Sequence, residues 1–180
     1  MIVMKPFIGV KRLWYGEPIM AAVTKTSLAA WIKSAKEIKN SHKDTFQYTQ
    51  DDPSVTDYIN ELTGRTYYRD KTDNGAKTIA FTIGEYDFQT KADLQGGTVE
   101  KENETEIGWS APDSAELVYK AIVAQTKTGN FVVFTNAGII GKTTTAEKNL
   151  GLGLTAVAME SQNEGVKDEY WFDGTQITLS

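Results

Sequence analysis

Lys77-Thr78-Ile79-Ala80-Phe81-Thr82-Ile83-Gly84-Glu85-Tyr86-Asp87-Phe88-Gln89-Thr90-Lys91-Ala92-Asp93-Leu94-Gln95-Gly96-Gly97-Thr98 changes period at Gly84, and that change decides the fold. Before Gly84, Ile79, Phe81 and Ile83 face one way and Thr78, Ala80 and Thr82 the other, the alternation of a half-buried strand. After it, Tyr86, Phe88, Ala92 and Leu94 keep no alternation. Asp87 is a helix-capping residue, and Gly96-Gly97 can close about two turns of helix in a left-handed conformation. The segment carries no reactive group. It is an architectural joint, and it points toward a protein that builds something.

Strand signals dominate on either side of the joint. Residues 45–49 alternate, and residues 65–69 are a further strand candidate. Asp70-Lys71-Thr72-Asp73-Asn74-Gly75 separates the latter from residues 77–83, and its Asn-Gly pair predicts a hairpin between them. Residues 116–124 form the next strand, turned by Thr128-Gly129-Asn130 into an antiparallel partner at residues 131–135. Residues 150–160 alternate again with Gly151 and Gly153 on one face, where a bend or a close backbone approach is expected. An aromatic strand, Glu169-Tyr170-Trp171-Phe172-Asp173, precedes a polar tail from Gln176 to Ser180 that should be flexible. A second short helix is predicted at residues 27–36, capped by Thr26 or Ser27, with Leu28, Trp31, Ile32 and Ala35 at helical spacing. Residues 110–114 are a loop or a single helical turn. No connection is long enough for the helical crossover that parallel strands need. The expectation is one mainly β domain over residues 1–180 with one or two short helices. Its two packed, mostly antiparallel sheets form a β-sandwich or partly closed barrel with a flanking helix.

Composition narrows the function. The chain has 180 residues, 40% of them hydrophobic, enough for a real core. It has no cysteine, which removes disulfides, thiolate chemistry and zinc–thiolate sites and suits a reducing compartment. The segment at residues 1–12 is too short and broken for a secretory signal, and no apolar run reaches the ~20 residues of a membrane helix, so a soluble protein is expected. The formal charge of −5, from 24 acids against 19 bases, argues against a sequence-independent phosphate binder.

Each chemical motif has a blander alternative. Asn136-Ala137-Gly138-Ile139-Ile140-Gly141-Lys142-Thr143-Thr144 approaches a phosphate-binding loop, but Asn136 replaces its first glycine and no helix follows. A polar loop between strands is the plainer expectation. Residues 70–75 mimic the front of a calcium loop, yet Phe81 stands where the bidentate acid belongs. His42 is the only histidine and cannot build a usual zinc site. Asp51-Asp52 before Pro53 marks an exposed turn. The alternating acids of residues 100–106 would line one face of a strand, plainly a solvated edge and, in the sharper reading, a surface that repels nucleic acid.

With these residues in view, the chain resembles the phage tail tube proteins, also called major tail proteins. The resemblance lies in Thr78-Ile79-Ala80-Phe81-Thr82-Ile83 and Tyr86-Asp87 through Gly97, in residues 48–57 with Leu62-Thr63-Gly64, and in residues 152–160 with residues 170–174. It spans about residues 7–174. It implies a structural virion protein without catalytic residues, cofactor or metal, whose copies close into hexameric rings. Stacked rings form the tube through which DNA passes without specific binding. It also implies tape-measure, terminator and baseplate partners, no membrane, and a place in the phage tail after assembly in the host cytoplasm, or a prophage origin. On this basis Asp51, Asp52 and Pro53 are expected in a ring-stacking loop, and Trp171 and Phe172 at a packed strand or subunit contact. Two other functions compete. One is a carbohydrate-binding β-sandwich with Tyr67, Tyr68, Trp109 and Trp171 as a stacking platform. The other is nucleotide binding through Gly141-Lys142-Thr143.

Overall fold

Ile79, Phe81 and Ile83 are each at most 2% exposed, while Thr78, Ala80 and Thr82 between them remain half-buried, as their alternation predicts. The computed structural model describes residues 4–179. Its elements run β1 (Arg12–Gly16), α1 (Lys25–Ser34), β2 (Lys36–Ile38), β3 (Gln47–Gln50), β4 (Val55–Asn60), β5 (Arg65–Lys71) and β6 (Lys77–Ile83). There follow α2 (Phe88–Gln95), β7 (Thr98–Glu102), β8 (Thr105–Ser110), β9 (Val118–Gln125), β10 (Phe131–Ala146), β11 (Asn149–Ala158) and β12 (Glu169–Phe172). The fold is mainly β with two short helices, and every strand pairing among the described residues is antiparallel.

The main sheet has the order β2-β1-β9-β10-β11-β6-β3, with β12 beside β10. β10 is 16 residues long and belongs to both halves of this sheet. Its start pairs with β9 and β12, its end with β11, and its register with β9 shifts between Phe134 and Ala137. Such a bulge bends a strand and sharpens its twist. The sheet curls over an inner core that joins Leu13, Tyr15 and Ile122 of one half to Ile79, Phe81 and Leu154 of the other. Tyr48 of β3 thereby comes to 6.1 Å, ring to ring, from Phe134 of β10. The result is a sandwich whose two halves share one strand, with no closed barrel.

The helices explain where alternation fails. α1 covers the outer face of the first half, packing Leu28 and Ile32 against Trp14, Val123, Phe131 and Val133. Both faces of β9 and β10 are dry there, and residues 131–135 are buried without a break. The outer face of β6 lacks such a cover, so β6 keeps its threonines. α2 begins where the sequence places it: the Asp87 carboxylate accepts the Thr90 N–H at 2.6 Å. It ends with the Gly96 N–H donating to Ala92, and both Gly96 and Gly97 have positive φ. Leu94 seals the inner core, and the Tyr15 hydroxyl donates to Asp93 at 3.0 Å.

Several expectations are corrected. β5 pairs with β4, not with β6, because both edges of β6 are taken by β3 and β11. Asn74-Gly75 therefore joins two sheets instead of turning a hairpin. The stretch at residues 136–144 is strand within β10, not a loop. The acids of residues 100–106 lie in a hairpin, with Asn103 and Glu104 both at positive φ between β7 and β8, so they do not share one strand face. The α1 cap is Thr24, which exchanges hydrogen bonds with Ser27, not Thr26 or Ser27 itself. The tail is anchored by Ile177, 7% exposed and packed into the α1 cluster; Ser180 lies outside the described residues.

Candidate functional site

β4 and β5 form a hairpin that stands apart from the body. Every residue of both strands is exposed except Asn60, which is half-buried. Its apolar side chains should be in a core: Leu62 is 95% exposed, Tyr67 69% and Ile59 62%, with Val55, Tyr58 and Tyr68 also open to solvent. Tyr58 and Tyr68 pack on each other, ring centroids 5.6 Å apart. A register shift after Tyr58 leaves Tyr67 unpaired. The Arg69 guanidinium grips Asp57 through two hydrogen bonds of 2.5 and 2.7 Å, which holds the Asp57 carboxyl below its ordinary value. Six β-strand residues reach roughly 20 Å, so this is a long arm that joins neither core cluster among the described residues.

Asp51, Asp52 and Pro53 form the base of the arm, and all three are exposed. The Asp51 N–H donates to the Ala76 carbonyl, bringing the two stems of the arm together. Gly75 is the hinge pin: at φ +75° it lies so close to Asp51 that a Cβ would fall 2.0 Å from the Asp51 carbonyl oxygen. Asp73 accepts the Ser54 N–H at 3.2 Å and the Gly75 N–H at 2.8 Å; the Ser54 hydroxyl first, and then these two N–H groups, lower its pKa. The sequence marked this loop by its acids and proline; the structure adds that it carries a hairpin.

Trp171 and Phe172 lie on β12 and face opposite ways. Trp171 meets Phe7 at 4.5 Å and the edge of Tyr48 at 5.6 Å, yet remains 45% exposed. Phe172 stacks on Tyr170 in the α1 cluster. Below Trp171 a polar seam joins β12 to β3 and β6. The Tyr48 hydroxyl and the Trp171 indole N–H both donate to one Glu169 oxygen at 2.6 Å. Lys77 reaches Asp168 at 2.9 Å and Glu169 at 3.2 Å. Burial pulls the Lys77 ammonium down, but the two carboxylates outweigh it and its pKa rises. Burial, and then Glu169, push the Tyr48 hydroxyl up. Sequence reasoning found the aromatics of this seam but not Lys77, whose partners are about ninety residues away.

The competing motifs are dispersed. Gly141-Lys142-Thr143 is paired with Leu154, Gly153 and Leu152 in the ladder and opens no helix. Gly141 is glycine because the end of α2 crosses it, leaving a Cβ 2.6 Å from the Leu94 carbonyl. Tyr67 and Tyr68 stand on the arm, Trp171 on β12, and Trp109 on β8 with the Lys91 ammonium 4.4 Å over its ring. His42 lies 3.9 Å from Glu147. Among the described residues no helix is long and apolar enough to cross a membrane.

No protein-family model matches the chain, and no curated protein matches it.

Proposed function

We propose that this chain is a structural, self-assembling virion protein whose copies close into rings, six to a ring, that stack into a tail tube for DNA. The observation that carries this reading is the free arm of β4 and β5. A hairpin of this length with Leu62, Ile59 and Tyr67 in water is costly for a monomer and useful for an assembly. A second copy of the chain supplies the missing cover, and strand edges left open on β2 and β3 offer further places for it. The net charge of −5 suits a conduit that DNA slides through, since an anionic wall captures no phosphate. Asp51, Asp52 and Pro53 then hold the arm at its stacking angle, while the Trp171 edge faces a neighbour. Tape-measure, terminator and baseplate proteins are the partners at the ends of such a tube.

Electron microscopy and native mass spectrometry at rising protein concentration test the proposal. Rings or tubes are the expected result. A chain that stays monomeric at every concentration, alone and with tail partner proteins, overturns it.

A further inference from the structure

Residues 72–76 carry no regular structure and join the arm to β6. Within them, Asn74-Gly75 is the one place in the chain where an asparagine precedes a glycine. Asn74 is exposed, and the hydrogen bond from Gln50 Nε2 at 2.9 Å falls on its backbone carbonyl, so its side-chain amide is not needed to hold the turn. Gly75 has no side chain to shield its nitrogen. Closing a five-membered ring between that nitrogen and Asn74 Cγ is an intramolecular reaction, favoured by proximity. One contact opposes it: the Asp73 carboxylate holds the Gly75 N–H at 2.8 Å. Asp173-Gly174 has a similar sequence but a closed setting. Asp173 accepts the Thr175 N–H and hydroxyl, each at 2.9 Å, and the Gly174 N–H donates to Asn130 at 3.1 Å. Gly174 also lies against the Gly129 carbonyl with no room for a Cβ.

We infer that Asn74 is a self-modification site, converted by the protein's own backbone to isoaspartate and aspartate at a rate that Asp73 restrains. The Gly75 nitrogen attacks Asn74 Cγ. An N–Cγ bond forms, the Cγ–Nδ2 bond breaks, and Nδ2 leaves as ammonia with the Gly75 amide proton. Solvent water then opens the cyclic imide at either carbonyl. Opening at Cγ leaves aspartate. Opening at the backbone carbonyl leaves isoaspartate, whose main chain runs through Cγ and is one carbon longer. Both products place a new carboxylate beside Asp73; only isoaspartate changes the length of the chain. Length matters at this point. A Cβ on Gly75 would fall 2.0 Å from the Asp51 carbonyl oxygen, and the Asp51 N–H donates to Ala76 at 2.8 Å. A longer chain cannot keep both contacts, so the two stems of the arm part at its root. Ammonia is lost to solvent, which makes the change one-way, and the chemistry needs no second copy of the chain.

The test ages the purified chain in warm, mildly alkaline buffer and follows it by peptide mass spectrometry, with isoaspartyl methyltransferase labelling to separate the two products. The Asn74 peptide should convert well ahead of the peptide with Asn103, an exposed turn asparagine followed by Glu104, and Asp173 should gain no label. Asp73→Ala should convert several-fold faster, and Asn74→Gln should not convert. Asn74 that persists as long as Asn103 overturns the site; Asp73→Ala at the wild-type rate overturns the restraint. Amide exchange reads the effect on the arm. The Asp51 amide should lose protection in the isoaspartyl fraction and keep it in Asn74→Asp, which has the charge without the length. Equal protection in the two overturns the parting of the stems.

Discussion

Gly141 has no side chain because α2 leaves no room for one. A valine there would press on the Leu94 carbonyl and the Gln95 backbone, neither of which can rotate away. Gly141→Val should cost about 1–3 kcal/mol, read as a lower denaturation midpoint together with faster amide exchange in α2. Asp87 acts at the other end of the same helix. Burial raises its carboxyl, but the Thr90 hydroxyl and N–H and the Lys36 ammonium outweigh burial and hold it at about 2, below the ordinary 3.8. A depressed carboxyl contributes stability above its unfolded value and loses it as pH falls through the folded one. Asp87 therefore adds to acid unfolding between pH 3.8 and about 2. Asp87→Ala should lose about 1 kcal/mol at neutral pH and show a shallower fall of stability across that window in a urea series at stepped pH. An unchanged acid limb would remove Asp87 from the account.

At the scale of elements, what was legible in the sequence was local. The alternation of β6 and the caps of α2 depend on residues within a few positions of one another, and both stand where the sequence puts them. α1 was found by its spacing but not by its cap. Its start is fixed by the Thr24–Ser27 exchange and by Val23, buried with Leu28 as a staple across the first turn. The partner of β5 was not legible. Asn74-Gly75 is a good turn signal, but which strand edges are free is settled far away, by β11 and β3. The turns at Asn103-Glu104 and Glu147-Lys148 lack glycine and gave no signal, although all four residues adopt positive φ. The β3–β4 loop was picked out by Asp51, Asp52 and Pro53, whereas the arm beyond it was invisible because its apolar residues look like core. Its exposure predicts its dynamics. In the unassembled chain, amides of β4 and β5 should exchange far sooner than those of β9 and the first half of β10. Equal protection in a verified monomer would mean that the arm folds back onto the body.

For the whole molecule, β10 removes the usual independence of two sheets. Neither half keeps its order without it, so the body should unfold in a single transition, with tryptophan fluorescence and far-ultraviolet dichroism coincident. Replacing residues 55–71 by a short glycine-serine turn should leave that midpoint nearly unchanged, since the arm adds nothing to either core, and should abolish tubes under the microscope. A large drop in the midpoint would show the arm to be part of the body after all. The arm's two stems also decide how the molecule bears tension. They run into β3 and β6 at the same end, so a pull on the arm draws both strands lengthwise together. The next ladder inward, from Thr78–Val157 to Ile83–Leu152, is then loaded in shear, its hydrogen bonds sharing the force at once instead of peeling one by one.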